Sequence, residues 1–103
     1  EDGIVKLYFA VGKADIAPGA AEALLDVITA TNSGKRAIIS GYTDASGNAE
    51  INEALAKQRA EAVRDQLVAL RVPADRLELR KPEALTGSGN AAEARRVEVR
   101  LED

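Results

Sequence analysis

Between Gly41 and Leu67 the chain reads GYTDASGNAEINEALAKQRAEAVRDQL, and three of its side chains could do chemistry together. Asp44 brings a carboxylate, Asn52 an amide and Arg59 a guanidinium. Asn52 and Arg59 are seven residues apart. At about 100° per residue of helix they point within roughly 20° of each other. Ile51, Leu55, Ala62, Val63 and Leu70 share the same broad face, the stripe expected to meet a core. An amide and a guanidinium therefore fall inside the side of the helix that should be buried. An unpaired buried charge is very costly. Either the core supplies partners, or the site faces a pocket that takes an acidic ligand.

The chemistry of each group narrows what such a ligand would be. Arginine grips a carboxylate with two parallel hydrogen bonds. The helical neighbours of Arg59 four residues either way are Leu55 and Val63, so no ion pair along the helix is open to it. Asn52 can add a donor and an acceptor on the same line. Asp44 follows an apolar run and precedes the helix, where the helix dipole keeps a carboxylate ionised. It can serve an Asx turn there, or accept hydrogen bonds from an ammonium. Acid, amide and guanidinium together suit a zwitterion with an ammonium and a carboxylate on one carbon. Spacing leaves a ligand site and an internal polar network both open.

Composition excludes several other functions. The chain has 103 residues, net charge −3, no cysteine, no histidine and three aromatic residues, Tyr8, Phe9 and Tyr42. One domain, spanning 1–103, is expected, large enough to bury a core without disulfides. Acidity and the shortage of stacking rings argue against nucleic acid as a partner. Without histidine there is no histidine-based triad and no common zinc ligand. No nucleophile–base pair or metal set stands out, so no enzyme, catalytic residue, metal or cofactor is expected. Asp44-x-Ser46-Gly47-Asn48 lacks the ligand spacing of a calcium loop, and Thr86-Gly87-Ser88-Gly89 follows no phosphate-binding fingerprint. No apolar run is long enough to cross a membrane, and no signal peptide is present. The chain begins at Glu1, which reads as a processed or excised domain.

The elements that must position these groups follow from periodicity. Ile4–Ala10 and Ala37–Tyr42 read as strands, the second apolar enough to be central in a sheet. Gly19–Thr31 carries Ala21, Leu24, Leu25 and Ile28 at helical spacing, with Gly34 as a left-handed terminator. Pro18 suits the opening of that helix. The long helix runs from about Asn48 to Leu70, with Asn48 or Ser46 as cap and Arg71–Pro73 closing it. Leu77–Arg80 is a short third strand. Pro82–Asn90 is a loop and Ala91–Arg95 a single helical turn. Val97–Leu101 alternates like a half-buried strand, so Arg95 and Arg96 point to opposite faces, one toward the Asp44 end and one into solvent. The order is β-α-β-α-β-β, with parallel pairing expected across each strand–helix–strand unit. That predicts an α+β two-layer sandwich, both helices on one face of a mixed four-stranded sheet.

These motifs resemble the OmpA-like peptidoglycan-associating domain, the family of outer-membrane porin tails, the lipoprotein Pal and flagellar stator proteins. The resemblance is carried by Phe9, Ala14-Asp15-Ile16-Ala17-Pro18, Gly41-Tyr42-Thr43-Asp44-Ala45-Ser46-Gly47, Asn52 through Ala60, Val63 and Arg95-Arg96-Val97-Glu98. It implies a non-catalytic module that anchors a Gram-negative envelope protein to the cell wall from the periplasm, tethered to the outer membrane. The positions matching Asp44 and Arg59 would clamp the diaminopimelate of the peptidoglycan stem peptide, with Asn52 and the backbone around Thr43 assisting. The domain itself is not expected in the membrane, and self-association as a homodimer is left open. The chain departs from the family pattern at Ala10, Ile51, Ala94 and the stretch KPEALTGSGN, which alters the pocket rim while keeping the clamp residues. The alternative is a degenerate domain kept for protein–protein assembly, with Asp44 and Arg59 as an internal salt bridge.

Overall fold

A computed structural model of the chain describes residues 4–9, 14, 19–43, 48–81 and 95–102. Four strands form one sheet in the order β1-β4-β2-β3, where β1 is Ile4–Tyr8, β2 Arg36–Gly41, β3 Leu77–Leu79 and β4 Arg96–Glu102. The alternating β4 lies between β1 and β2 and is antiparallel to both, while β2 and β3 are parallel. Register then decides what is buried. Val5 and Ile39 both pair with Val99, and Leu7 and Gly41 both pair with Val97. Strand alternation sends this row to one face, where Val97, Val99, Ala37 and Ile39 join the core. Arg96, Glu98, Arg100 and Glu102 fall on the other face, where ion pairs join Arg96 to Glu98 at 2.7 Å and Arg80 to Glu78 at 2.8 Å and to Glu102 at 3.3 Å.

The expected α+β architecture, a mixed four-stranded sheet with helices against one face, is what the chain adopts. Only the second strand–helix–strand unit forms an adjacent parallel pair. The first does not, because the last strand inserts between β1 and β2. Pairing both neighbours through one central strand covers its two hydrogen-bonding edges, which the half-apolar β4 could not manage at a sheet margin without exposing them.

The first helix is two short segments, α1 (Ala20–Ala23) and α2 (Leu25–Asn32), that meet at Leu24. Its buried row is Ala20, Leu24, Val27 and Thr31, not the expected Ala21, Leu24, Leu25 and Ile28. Leu24 and Leu25 are sequence neighbours about 100° apart on a helix, and the sheet takes only Leu24; Leu25 is 58% exposed. Gly34 terminates α2 with φ 104°, as expected, while Lys35 N–H bonds Ala30 O at 3.1 Å and Gly34 N–H bonds Thr31 O at 3.1 Å. Those are the two bonds of a Schellman motif.

The long helix α3 (Ala49–Ala69) starts at Asn48, whose Oδ1 accepts from the N–H of Glu50 at 2.8 Å and of Ile51 at 3.2 Å. Its end repeats the Schellman pattern: Val72 N–H bonds Leu67 O at 3.0 Å, Arg71 N–H bonds Val68 O at 2.9 Å, and Arg71 sits at φ 73°. A hydrogen-bonded cap, then, stops the helix before Pro73. The buried stripe also needs correction. Ala56, Arg59, Ala60, Val63 and Leu67 are buried, whereas Ile51 is 67% exposed. On a 100° wheel the core-facing direction is turned by roughly 80° from the one the apolar residues suggest. The cause is a close approach to β2. A Cβ built on Gly41 would overlap the carbonyl oxygen of Ala56 and lie 2.9 Å from its carbonyl carbon. The small flank of α3 thus lies down on the strand, and Ile51 is rotated outward.

Ala10, Pro18, Asp44, Ser46, Gly47, Ala94, the loop at Pro82–Asn90 and most of the turn at Ala91–Arg95 lie outside the described residues.

Candidate functional site

The site forms where β1 and β2 end and β4 begins. Phe9 N–H donates to Arg95 O at 2.8 Å, and Arg95 Nε donates back to Phe9 O at 3.2 Å. On the other side of β4, Tyr42 N–H donates to Arg96 O at 2.8 Å. These bonds set Phe9, Arg95 and the Tyr42-Thr43 step side by side across the end of the sheet. Phe9 and Thr43 are both buried. Over this end passes α3, carrying Arg59 into the interior at 1% exposure, its guanidinium carbon 5.4 Å from the centre of the Phe9 ring. Asn52 is half-buried two turns earlier on the same flank. The ring presents its negative face to the cation, an attraction of about 0.5–2 kcal/mol depending on desolvation. That is a small return against the cost of burying a guanidinium, so the position is held only where the surroundings also supply polar contacts.

Three of the four residues singled out from the sequence, Thr43, Asn52 and Arg59, are described here. Helix periodicity puts Asn52 and Arg59 on one flank, and Thr43 is carried to the same end of the sheet by β2. Asp44, the next residue along from Thr43, lies outside the described residues. The strand alternation of Arg95 and Arg96 also holds: Arg95 reaches Phe9 and Arg96 takes the other face. Arg96 is not solvated, however. It is 8% exposed, stacked 4.5 Å over the Tyr42 ring and bonded to Glu98 at 2.7 Å. Burial pushes the Tyr42 hydroxyl above its ordinary pKa, and the Glu98 carboxylate adds to the shift while Arg96 opposes it.

Sequence reasoning missed the Phe9 ring as the surface against which the guanidinium lies. The signal was an aromatic at a strand end in a chain with only three. Chemically the arrangement offers donors: a forked guanidinium, a second guanidinium at Arg95, a hydroxyl at Thr43 and an amide. That suits recognition of an anionic group. Among the described residues no group of three or more acidic side chains could hold a metal ion. None of the described helices is long and apolar enough to cross a membrane.

Comparison with known proteins places these features in a family. The family model described as "OmpA family" matches residues 8–98. The peptidoglycan-associated lipoprotein of Pseudomonas aeruginosa is 38% identical over 77 residues, covering 74% of this chain and 46% of its own length. Outer membrane protein A of Serratia marcescens is 36% identical over 81 residues, covering 62% of this chain and 23% of its own length. The chain thus spans less than half the length of either relative. Among solved structures, the peptidoglycan-associated lipoprotein from Burkholderia pseudomallei superposes with a TM-score of 0.80 at 28% identity, over 94% of this chain and 89% of that one. The C-terminal domain of Helicobacter pylori MotB superposes with a TM-score of 0.76 at 18% identity, over 95% and 84%, a likeness of fold.

Proposed function

The chain belongs to the OmpA family, and from that premise we propose that residues 1–103 form a single non-catalytic module that binds peptidoglycan by clamping diaminopimelate in the stem peptide. Asp44 accepts hydrogen bonds from the ligand ammonium, and Arg59 pairs with the adjoining carboxylate. Asn52 orients that carboxylate, and the backbone and hydroxyl at Thr43 add polar contacts. The module works in the periplasm and ties a protein of the outer membrane to the cell wall. Two of its relatives are named for the outer membrane or for association with peptidoglycan, which supports this placement.

The observation that carries the reading is the placement of Arg59. A guanidinium at 1% exposure, backed by the Phe9 ring at 5.4 Å, lies at the sheet end where β2 leads through Thr43 toward Asp44. A helix built only for packing gains nothing from a guanidinium there, because a hydrophobic residue of similar volume is often as stable or more so. The same burial also favours a second reading, assembly with proteins and no cell-wall ligand, in which Arg59 belongs to an internal network.

Sedimentation with purified diaminopimelate-type sacculi separates the two. The chain is expected to co-sediment, and Asp44→Ala, Arg59→Ala and Arg59→Lys each to lose at least tenfold in affinity while circular dichroism shows them folded. Arg59→Lys keeps the charge and loses the fork, so it reports on carboxylate recognition. Failure of the unmodified chain to sediment, or equal binding by the folded variants, would refute the clamp and leave the assembly reading.

A further inference from the structure

We propose that the cleft between α3 and the carboxyl ends of β2 and β3 is a second binding site, which takes the extended C-terminus of a partner protein with an apolar last side chain. The cleft holds about 240 Å³. Its floor is made by Ile39, Gly41, Ala56, Ala60 and Leu79, with no polar side chain among them. It exists because Gly41 and two alanines are small: they let α3 touch β2 and leave a hollow beside the contact. It also lies on a different flank of α3 from the Arg59 site. On a 100° wheel Ala56 and Ala60 point roughly 40–100° from Asn52 and Arg59, and Lys57 roughly 140–160°, so the cleft opens on the side of the buried row turned away from Arg59.

Two further features say what would occupy it. The first is an open strand edge. β3 ends the sheet, and Arg80 N–H bonds Ile39 O at 2.9 Å toward β2. In a parallel ladder the neighbouring residues alternate, so the main-chain groups of Leu79 and Lys81 point outward. Among the described residues no strand pairs with that side. An extended segment can add there by main-chain hydrogen bonds while a side chain enters the apolar hollow. The second is charge. Lys57 and Lys81 stand at the mouth against a single carboxylate, Glu53, which bonds Lys81 at 2.7 Å. Lys57 has no carboxylate partner among the described residues. Among the described residues the mouth is therefore net positive, on a chain of net charge −3. A free C-terminal carboxylate lies only a few bonds from the last side chain, which matches one apolar hollow beside one available ammonium. The hollow is also below the usual range of small-molecule pockets, about 300–1,000 Å³, and suits one side chain.

The test is an NMR titration of the ¹⁵N-labelled chain with the acetylated tetrapeptide Ser-Thr-Val-Leu, as free acid and as C-terminal amide. The free acid is expected to give saturable shifts at the amides of Ala56, Ala60, Leu79 and Lys81. Amidation, and separately Lys57→Glu at this exposed position, should each weaken binding about two- to fivefold, the scale of one exposed ion pair. Lack of saturation into the low millimolar range, equal affinity of acid and amide, or shifts confined to the Arg59 flank would overturn the proposal. So would peptide-free shifts at β3 that grow with protein concentration, since these would assign the edge to a second copy of the chain. Diaminopimelate titrated in parallel reports on the Arg59 site alone, so loss of either site leaves the other readable.

Discussion

Replacing Gly41 by alanine should damage both the core and the candidate site, and the size of the effect follows from one contact. The added Cβ overlaps the carbonyl oxygen of Ala56, 2.9 Å from its carbonyl carbon and 3.3 Å from its Cα. All three atoms are backbone of a helix whose buried row is locked into the core, so no side chain can rotate to make room. The helix has to retreat by about 1 Å to restore ordinary contact, and a gap of that size forfeits a quarter to a half of each dispersion contact across it. Overpacking of this kind costs about 1–3 kcal/mol, occasionally more, and backbone against backbone belongs at the upper end. Taking about 3 kcal/mol, a domain of this size should lose roughly 10–25 °C in Tm. The measurement is urea and thermal unfolding by circular dichroism, with sacculus sedimentation in parallel, because Arg59 rides on the same helix. A loss below about 1 kcal/mol with an unchanged m-value would refute the reasoning, since it would mean that α3 can shift without cost.

Four further outcomes are expected. Arg71→Gly should stabilise the chain by about 1 kcal/mol, because Arg71 occupies a left-handed cap at φ 73° where a Cβ is penalised. Gly34→Ala, at φ 104° with open space around it, should cost about 1–2 kcal/mol, and urea unfolding of both tests the shared cause. A double-mutant cycle of Phe9→Leu with Arg59→Met should return a coupling of about 0.5–1.5 kcal/mol for the ring–guanidinium contact; a value near zero would mean that Phe9 only fills volume. Tyr42 should ionise above the ordinary tyrosine value near 10, because burial disfavours phenolate and Glu98 adds to it. A folded pKa above the unfolded one contributes stability that is fully present below the unfolded value and is lost as pH rises through the folded value. Absorbance at alkaline pH in a Tyr8→Phe background reads this directly, and a midpoint at the ordinary value would count against it.

Much of this protein is legible in the sequence because local physics writes it there. Alternation in VEVRL specifies a strand with one charged face, and the structure puts Arg96, Glu98 and Arg100 on that face. Asn48 before a helical run specifies an N-cap, and Gly34 after one specifies a left-handed terminator. The seven-residue spacing of Asn52 and Arg59 puts them on one flank whatever the helix packs against. Other features are decided only in three dimensions. Ile51 and Leu25 are as apolar as the residues that are buried, and only the sheet determines which of two neighbouring directions it covers. Arg71 shows the same limit at a helix end, where the chain's next contact forces a left-handed cap on a residue that local preference would not choose.

What the sequence determined by itself, then, is the strands and helices of the sandwich, the caps at Asn48 and Gly34, and the polar line Asn52–Arg59 on one helix. Each depends on residues within a turn or two of one another. Only the tertiary structure decided that β4 separates β1 from β2, that α3 rolls its small flank onto Gly41, and that the Phe9 ring lies against the Arg59 guanidinium. The physical reason is common to all three. They rest on contacts between residues from 15 to more than 90 positions apart, whose energies depend on shape and register that no local pattern encodes.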